Sequence, residues 1–252
     1  MRSTVWAIIG IVGLFVAEAP AADGNDAASL VDRALQAAGG ADQLAKPRSY
    51  TFQQEMTTRT KKLPAGLTTH ATFSFQPPKK FRMEEEGELN GTPIKYVEVI
   101  NGNRGWGKRN GSSVPLAPQA IAHPLEVQQG FGYKFILILR DKTYKPTLLG
   151  PTDGNLLGLK FVRRVGQGSD EWRLFFDPTT HLLARSERHG RLSTGGDLSS
   201  EQTWGDYKTI DGIAVPHKVT HTVKDTAGTT IDRVYSDFRF VDHLDPHLFD
   251  AP

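Results

Sequence analysis

The sequence predicts a mainly β (α+β) fold, a strongly curved antiparallel sheet or incomplete β-barrel covered by an N-terminal helix and a central helical lid. Three observations predict it. From Ser49 onward, apolar and polar residues alternate with period two in run after run. Short turn signals, many of them Asn-Gly or Asp-Gly, separate the runs. Only two segments of the mature chain break the alternation toward helical spacing. So many consecutive strands cannot stay flat, because strand twist accumulates across a sheet. The sheet must curl, and the two helical segments are the elements left to cover its concave side.

Residues 1–21 read as an export signal. Met1 and Arg2 give a positive start, an apolar run follows from Val5 to Ala17, and Ala19, Ala21 and Ala22 supply a small-residue cleavage site. The run stops at Glu18 and Pro20, short of the roughly 20 residues a spanning helix needs. Residues 22–252 are then one domain. It opens with a helix over Asp26 to Ala38, where Leu30, Val31, Ala34, Leu35 and Ala38 share a stripe and Gly39-Gly40 gives the stop. Strands follow, through Tyr50, Phe52, Gln54 and Met56, through Leu67 to Phe75, then around Phe81 and Met83, and around Ile94 and Tyr96. The intervening turns are placed at Leu63-Pro64-Ala65-Gly66, Pro77-Pro78, Asn90-Gly91 and Asn101-Gly102. From Pro118 to Leu139 the pattern becomes helical, interrupted by Pro124, Gly130 and Gly132. Strands resume at Tyr144 to Leu149, Leu156 to Val165, Glu171 to Phe176, His181 to Glu187, Glu201 to Thr209, Ile213 to Val223 and Thr230 to Phe240. The stretch Arg191 to Leu198, rich in Gly and Ser, reads as a mobile hairpin tip.

Composition narrows function by exclusion. The 252-residue chain has no cysteine, which removes disulfides, thiolate metal sites and a lipidated N-terminal cysteine. Its formal net charge is +2, with the two signs interspersed, so no nucleic-acid partner is indicated. Gly102 to Lys108 has phosphate-loop spacing, but Arg109 replaces the metal-binding hydroxyl residue and no helix follows. His217 with His221, and His243 with His247, are the best-spaced histidine pairs. Four residues along a strand span about 13 Å, too far to share one ion, and no third ligand is evident. No metal or other cofactor is expected. There is no Gly-x-Ser-x-Gly elbow for a serine nucleophile. Glu84 and Glu86 share one strand face as a solvated edge, and Asn90-Gly91-Thr92 and Asn110-Gly111-Ser112 are explained as hairpin turns.

What remains is an apolar strand face without catalytic company. Phe73, Phe75, Phe81, Met83, Tyr96, Trp106, Trp172 and Phe176 are the candidates to line a hydrophobic cavity under a curved sheet with few helices to plug it.

Five local patterns carry a resemblance. They are Ala37-Ala38-Gly39-Gly40 with Leu44; Pro78-Lys79-Lys80-Phe81-Arg82-Met83-Glu84; Asn101-Gly102-Asn103-Arg104-Gly105-Trp106; Phe176-Asp177-Pro178 through Leu183; and Asp206-Tyr207-Lys208 through Asp211-Gly212-Ile213 to Pro216. In this order the chain resembles the LolA-like superfamily of envelope proteins, which includes outer-membrane lipoprotein-sorting proteins. The resemblance implies a half-barrel closed by helices over a cavity for acyl chains or other lipid. It assigns residues 118–139 to a lid, with Gly130 and Gly132 as hinge candidates. The lipoprotein carriers have an arginine where Gln76 stands, which makes Gln76 the lid-latch candidate, one that holds the lid without charge assistance.

The expected protein is a soluble, non-lipidated periplasmic monomer that holds a lipid, a lipoprotein acyl chain or a similar ligand, and is not an enzyme. The alternative is an envelope sensor or scaffold that binds a membrane-protein partner. A hydrolase built on His243, Asp245 and His247 ranks third.

Overall fold

The computed structural model describes residues 26–118, 120–121, 132–150, 152–165, 168–191 and 197–252. The expected export segment, residues 119 and 122–131 of the expected lid with Gly130 among them, and the greater part of the Gly/Ser-rich stretch at 191–198 lie outside these. Thirteen strands form one antiparallel sheet. They are β1 (Ser49–Thr60), β2 (Leu63–Gln76), β3 (Lys80–Leu89), β4 (Thr92–Asn101), β5 (Arg104–Arg109), β6 (Ser112–Pro115), β7 (Thr147–Leu148), β8 (Leu157–Val165), β9 (Gly168–Phe176), β10 (Leu183–Arg191), β11 (Asp197–Ile210), β12 (Ile213–Val223) and β13 (Thr230–Val241).

The order across the sheet is β6-β5-β4-β3-β2-β1-β13-β12-β11-β10-β9-β8-β7, and the two ends do not pair, so the curved sheet is an open half-barrel. This topology has a consequence. The chain leaves one edge at β6 and re-enters at the opposite edge, β7. The 3-10 helix Gly132–Arg140 belongs to the connection between them. Its buried residues are Tyr133, Ile136 and Leu139, a spacing of three that matches the three residues per turn of a 3-10 helix.

The turns explain why a meander forms. Asn90-Gly91, Asn110-Gly111 and Asp211-Gly212 all carry positive φ at both positions (53° and 79°, 47° and 93°, 49° and 78°), the backbone a tight hairpin needs to match strand twist. The turn expected at Leu63 to Gly66 instead sits at Lys61 and Lys62, with Thr60 paired to Leu63. Pro64 and Gly66 fall inside β2 beside a register shift, and Gly66 at φ 87° absorbs it. The strand expected over Tyr144 to Leu149 shrinks to Thr147–Leu148.

α1 (Ala27–Ala37) is capped by the Asp26 carboxylate, which accepts from Ser29 N at 2.6 Å, and it buries Leu30, Val31, Ala34 and Leu35 against the sheet. Gly39, at φ 118°, is required by a close approach: a Cβ there would lie 2.5 Å from Gly212 O. Ala214 N donates to Ala38 O at 3.1 Å, so the end of α1 is tied to the β11–β12 hairpin. A short α2 (Ala41–Ala45) buries Leu44. The core is the concave face of β1, β2, β8, β9, β12 and β13 under α1 and the 3-10 helix, with Tyr50, Phe75, Leu159, Phe176 and Phe238 among its members.

The convex face has its own anchor. The C-terminal 3-10 helix Pro246–Phe249 is capped by the Asp245 side chain and sinks Phe249 completely. Arg82 Nη1 donates to Leu248 O at 2.9 Å, Asn101 Nδ2 to Phe249 O at 3.3 Å, and Lys80 Nζ stands 5.4 Å from the Phe249 ring centroid. Across β8, β9 and β10 the convex side carries a ladder of opposite charges, Lys160, Glu171, Arg173 and Glu187.

Candidate functional site: an aromatic trough on the concave face

Residues opposite one another in a ladder share a face, so register assigns every side chain to the concave or convex side. Tyr50 pairs with Phe75, which pairs with Phe81, which pairs with Ile100. The next row joins Phe52, Phe73, Met83 and Glu98. Both rows are concave. On the other half of the sheet, Leu159 pairs with Leu174 and Phe161 with Trp172, again on the concave side.

Two populations result. Phe75 and Phe176, both cavity candidates, are buried in the core under the helices. Phe73, Phe81, Met83 and Trp172 are only partly buried, as are Phe135 of the 3-10 helix and Trp204 of β11. Phe52 and Phe73 stack at 4.5 Å between centroids, Phe73 meets Phe81 at 6.2 Å, and Phe135 contacts Trp172 at 5.3 Å and Trp204 at 5.7 Å. These half-covered rings stand in two groups on the concave face, Phe73 with Phe81 and Phe135 with Trp172 and Trp204, and the apolar surface they border beside the core is the candidate trough. Tyr96 lies at its far margin, where its hydroxyl donates to Glu98 at 2.7 Å. Burial first, and then the Glu98 carboxylate, push the Tyr96 phenol up to about 12, so it remains a neutral donor.

Two candidates are on the wrong side. Trp106 pairs with Val99, whereas Gly105 pairs with the concave Ile100, so the indole faces the convex surface. The concave positions of that strand are Gly105 and Gly107 because the chain after β6 folds over them. A Cβ on Gly105 would lie 2.9 Å from Ile121 Cγ1, and one on Gly107 3.2 Å from Leu116 Cδ2. Gln76 follows the concave Phe75 and pairs with Lys80, which reaches Phe249 on the convex side. Its buried Oε1 accepts no hydrogen bond among the described residues. A latch from Gln76 to a lid on the concave side is therefore replaced by a position beside the C-terminal anchor. Gly132 opens the 3-10 helix; its partner candidate Gly130 is outside the described residues.

The sequence reading missed Phe135 and Trp204, and it missed the polar groups of the same face. Trp204 Nε1 donates to Ser186 Oγ at 3.2 Å, whereas Trp172 Nε1 is buried without an acceptor among the described residues. Arg188 stands 5.5 Å from the Trp172 ring centroid and is held by Asp170, which accepts from its Nε at 2.9 Å. His217 is a buried residue of the concave side; its Nδ1 lies 2.8 Å from Tyr235 O, which assigns the proton to Nδ1 and leaves Nε2 an unpartnered acceptor. Thr69 Oγ1 is likewise buried and unpartnered. His221 is held below the ordinary histidine range, by burial and then by Arg233 beside it. His247 is exposed and pairs with Asp250 at 2.9 Å, which with Asp245 raises its pKa, while the Asp245 carboxylate caps the turn. Among the described residues no three His, Asp or Glu side chains come together as a metal site, and no helix is long and apolar enough to cross a membrane.

A separate open groove of about 340 Å³ lies between α1 and the β7–β8 edge, lined by Leu30, Arg33, Leu148, Leu149, Leu156 and Leu157, among others.

No protein-family model matches the sequence, and no curated relative matches it. Solved structures do match. A LolA superfamily protein from Nitrosomonas europaea is similar at 14% identity and a TM-score of 0.53, over 89% of this chain and 97% of that one. A DUF1329 family protein from Desulfovibrio piger matches at 13% identity and TM-score 0.53, covering 88% and 96%. A domain assigned to outer membrane lipoprotein sorting from Vibrio parahaemolyticus matches at 13% and 0.53, covering 87% and 97%. The three likenesses each run along nearly the full length of both chains, and the chain has the fold of the LolA superfamily.

Proposed function

We propose that this protein is a soluble periplasmic carrier or binding protein that holds the apolar chain of a lipid, or the acyl chain of a lipoprotein, in the concave trough. The observation that carries the proposal is the set of half-covered rings, Phe73, Phe81, Trp172, Trp204 and Phe135, gathered on one face next to a core that is already filled. Folding alone gains most by burying such side chains fully; leaving several part-exposed on a concave surface suits an apolar ligand that completes their burial. The 3-10 helix Gly132–Arg140 adds a partial cover on this side. The LolA-superfamily proteins that share the fold support the same reading by analogy.

An alkyl chain contributes about 0.8 kcal/mol per buried methylene, so ten of them supply about 8 kcal/mol before the costs of association. No covalent chemistry is required. Native mass spectrometry of the protein purified from its own envelope, together with titration by a fluorescent fatty-acid probe, tests the proposal. Copurified lipid and probe binding that weakens on Phe73→Ala or Trp204→Ala are expected. An empty protein that binds no probe and instead captures one membrane-protein partner would overturn the carrier in favour of a scaffold.

A further inference from the structure

The floor of the trough carries one arginine that the fold has turned inward. On β13, Phe240 pairs with Tyr50 and is concave, and Phe238 is buried on the same side. Plain alternation would carry the pattern on to Ser236 and Val234. A bulge intervenes: between Thr51 and Gln53 of β1 the register slips by one, with Asp237 of β13 at φ 50°. Parity is reversed beyond it. Tyr235 and Arg233 face the concave side, and Val234, an aliphatic residue, is left 41% exposed on the convex side.

Arg233 pairs with Met56 on one flank and Val219 on the other, and the same row continues to Thr69 through Met56 and to Trp204 through Val219. The neighbours of the guanidinium on this face are therefore Met56, Val219, Tyr235 and His221, none of them an acid. Asp232, adjacent in sequence, points to the other side and is bound to Arg59 and Thr220. Asp170 on the concave side already holds Arg188. Glu85, in the row of Ala71, Gln54 and Tyr235, is three strands away, about 14 Å. Arg233 is half-buried and makes no ion pair or hydrogen bond among the described residues, so its fork is available to an anion. Two strands along its row, about 10 Å, the Thr69 hydroxyl is 96% buried by residue and also unpartnered.

We propose that the ligand is an anionic amphiphile: Arg233, with the Thr69 hydroxyl alongside, receives a carboxylate or phosphate head while the chain runs along the strands toward Phe73. Arginine suits this role because its planar fork pairs bidentately with either oxyanion. The span agrees as well. From the Met56 row to the Phe52 row is four residues of strand, about 13 Å, the length of a medium alkyl chain. This inference rests on the trough being the ligand site, and the test separates the two.

Delipidated full-length protein is titrated with dodecanoate, dodecanol and dodecyl phosphate, and with acetate and inorganic phosphate as chainless controls. Wild type is expected to bind the anionic amphiphiles at least tenfold more tightly than dodecanol and the chainless anions not measurably. Arg233→Gln should abolish the preference while keeping dodecanol affinity within twofold, Arg233→Lys should retain most of it, and Thr69→Val should weaken only the anionic ligands, by two- to fivefold. Equal binding of dodecanoate, dodecyl phosphate and dodecanol by wild type, or a preference that survives Arg233→Gln, overturns the head site and leaves the trough standing. Failure of every chain-bearing ligand to bind overturns both, and tight binding of acetate or phosphate alone overturns the amphiphile. The wild-type comparison decides even where Arg233→Gln does not fold, and Arg233→Lys then supplies the variant arm.

Discussion

Gly190→Ala is the substitution with the sharpest consequence for the trough. Gly190 lies opposite Asp170 across the β9–β10 ladder, and a Cβ at this position would sit 2.0 Å from Asp170 Oδ1 and 2.9 Å from its Cγ. Ordinary contacts of this kind begin near 3.4 Å, so the carboxylate has to move by more than an ångström. It has nowhere to go without loss. The Asp170 side chain is only 3% exposed, and its Oδ2 accepts from Arg188 Nε at 2.9 Å and from Nη2 of the same guanidinium. Overpacking costs about 1–3 kcal/mol. Separating a buried ion pair costs about 3–5 kcal/mol, reduced here because Arg188 is one-third exposed and regains water. A net loss of about 3 kcal/mol is expected. Once Asp170 is replaced by Ala the obstruction is gone, and Gly190→Ala in that background should be neutral or stabilising by a few tenths of a kcal/mol, as Gly in a strand is entropically unfavourable. Urea unfolding of the four proteins in the cycle measures the coupling, expected at 2 kcal/mol or more on the order of magnitude of neighbouring pairs. An equal cost of Gly190→Ala in both backgrounds would refute the steric argument.

Other outcomes follow from the same geometry. Trp106→Ala should leave fatty-acid probe affinity unchanged, since that indole faces the convex side, whereas ligand-dependent quenching of tryptophan emission should disappear in Trp172→Phe/Trp204→Phe. Phe249→Ala, which empties a fully buried site under β3 and β4, should cost about 3–5 kcal/mol in urea unfolding. His221 has its folded-state pKa lowered, so the unfolded chain binds more protons: stability is full above the unfolded value near 6.5 and declines as pH falls through it toward the folded pKa. The unfolding midpoint should therefore drop as pH falls below about 6.5, and His221→Gln should make that slope shallower. His247 has the opposite sign, its contribution being complete below the unfolded pKa and lost as pH rises through the raised folded value. An unchanged slope in His221→Gln would show that burial beside Arg233 does not govern this histidine.

Where strand parity is unbroken, the sequence was readable. The stripe of α1, the Asn-Gly and Asp-Gly hairpins and the concave set Phe73, Phe75, Phe81 and Met83 all follow from local period and turn chemistry, and all lie where alternation puts them. Parity alone would also have turned Gln76 away from Phe75. Trp106 was readable through its neighbours: in Gly-Trp-Gly the two glycines occupy one face and the ring the other, and glycine marks the face that another segment approaches. The separation of filled core from open trough was not readable. Phe75 and Phe73 are two residues apart on one face, and what differs is whether α1 and the 3-10 helix reach them, a property of the long connection rather than of β2.

The bulge at Asp237 shows why the candidate head site in particular escaped. Counting by twos back from Phe240 places Val234 inside and Arg233 in solvent, the arrangement hydrophobicity favours. One extra residue reverses both assignments, leaving an aliphatic side chain exposed and moving a cation onto an apolar floor. Burial energetics alone would select against that exchange, at about 1 kcal/mol or more for the valine and more for the arginine. A folded chain that keeps it must recover the loss elsewhere. Within the described residues no acid offsets Arg233, and an anion bound in the trough is the counter-charge this face lacks. An anionic ligand supplies it only when bound, which would couple occupancy of the trough to stability. Saturating dodecanoate at 100 times its Kd should then raise the unfolding free energy by about 2.7 kcal/mol in wild type. At that same concentration Arg233→Gln, binding tenfold more weakly, should gain only about 1.4 kcal/mol. Equal stabilisation of the two proteins would mean that the inward arginine serves the fold and not the ligand.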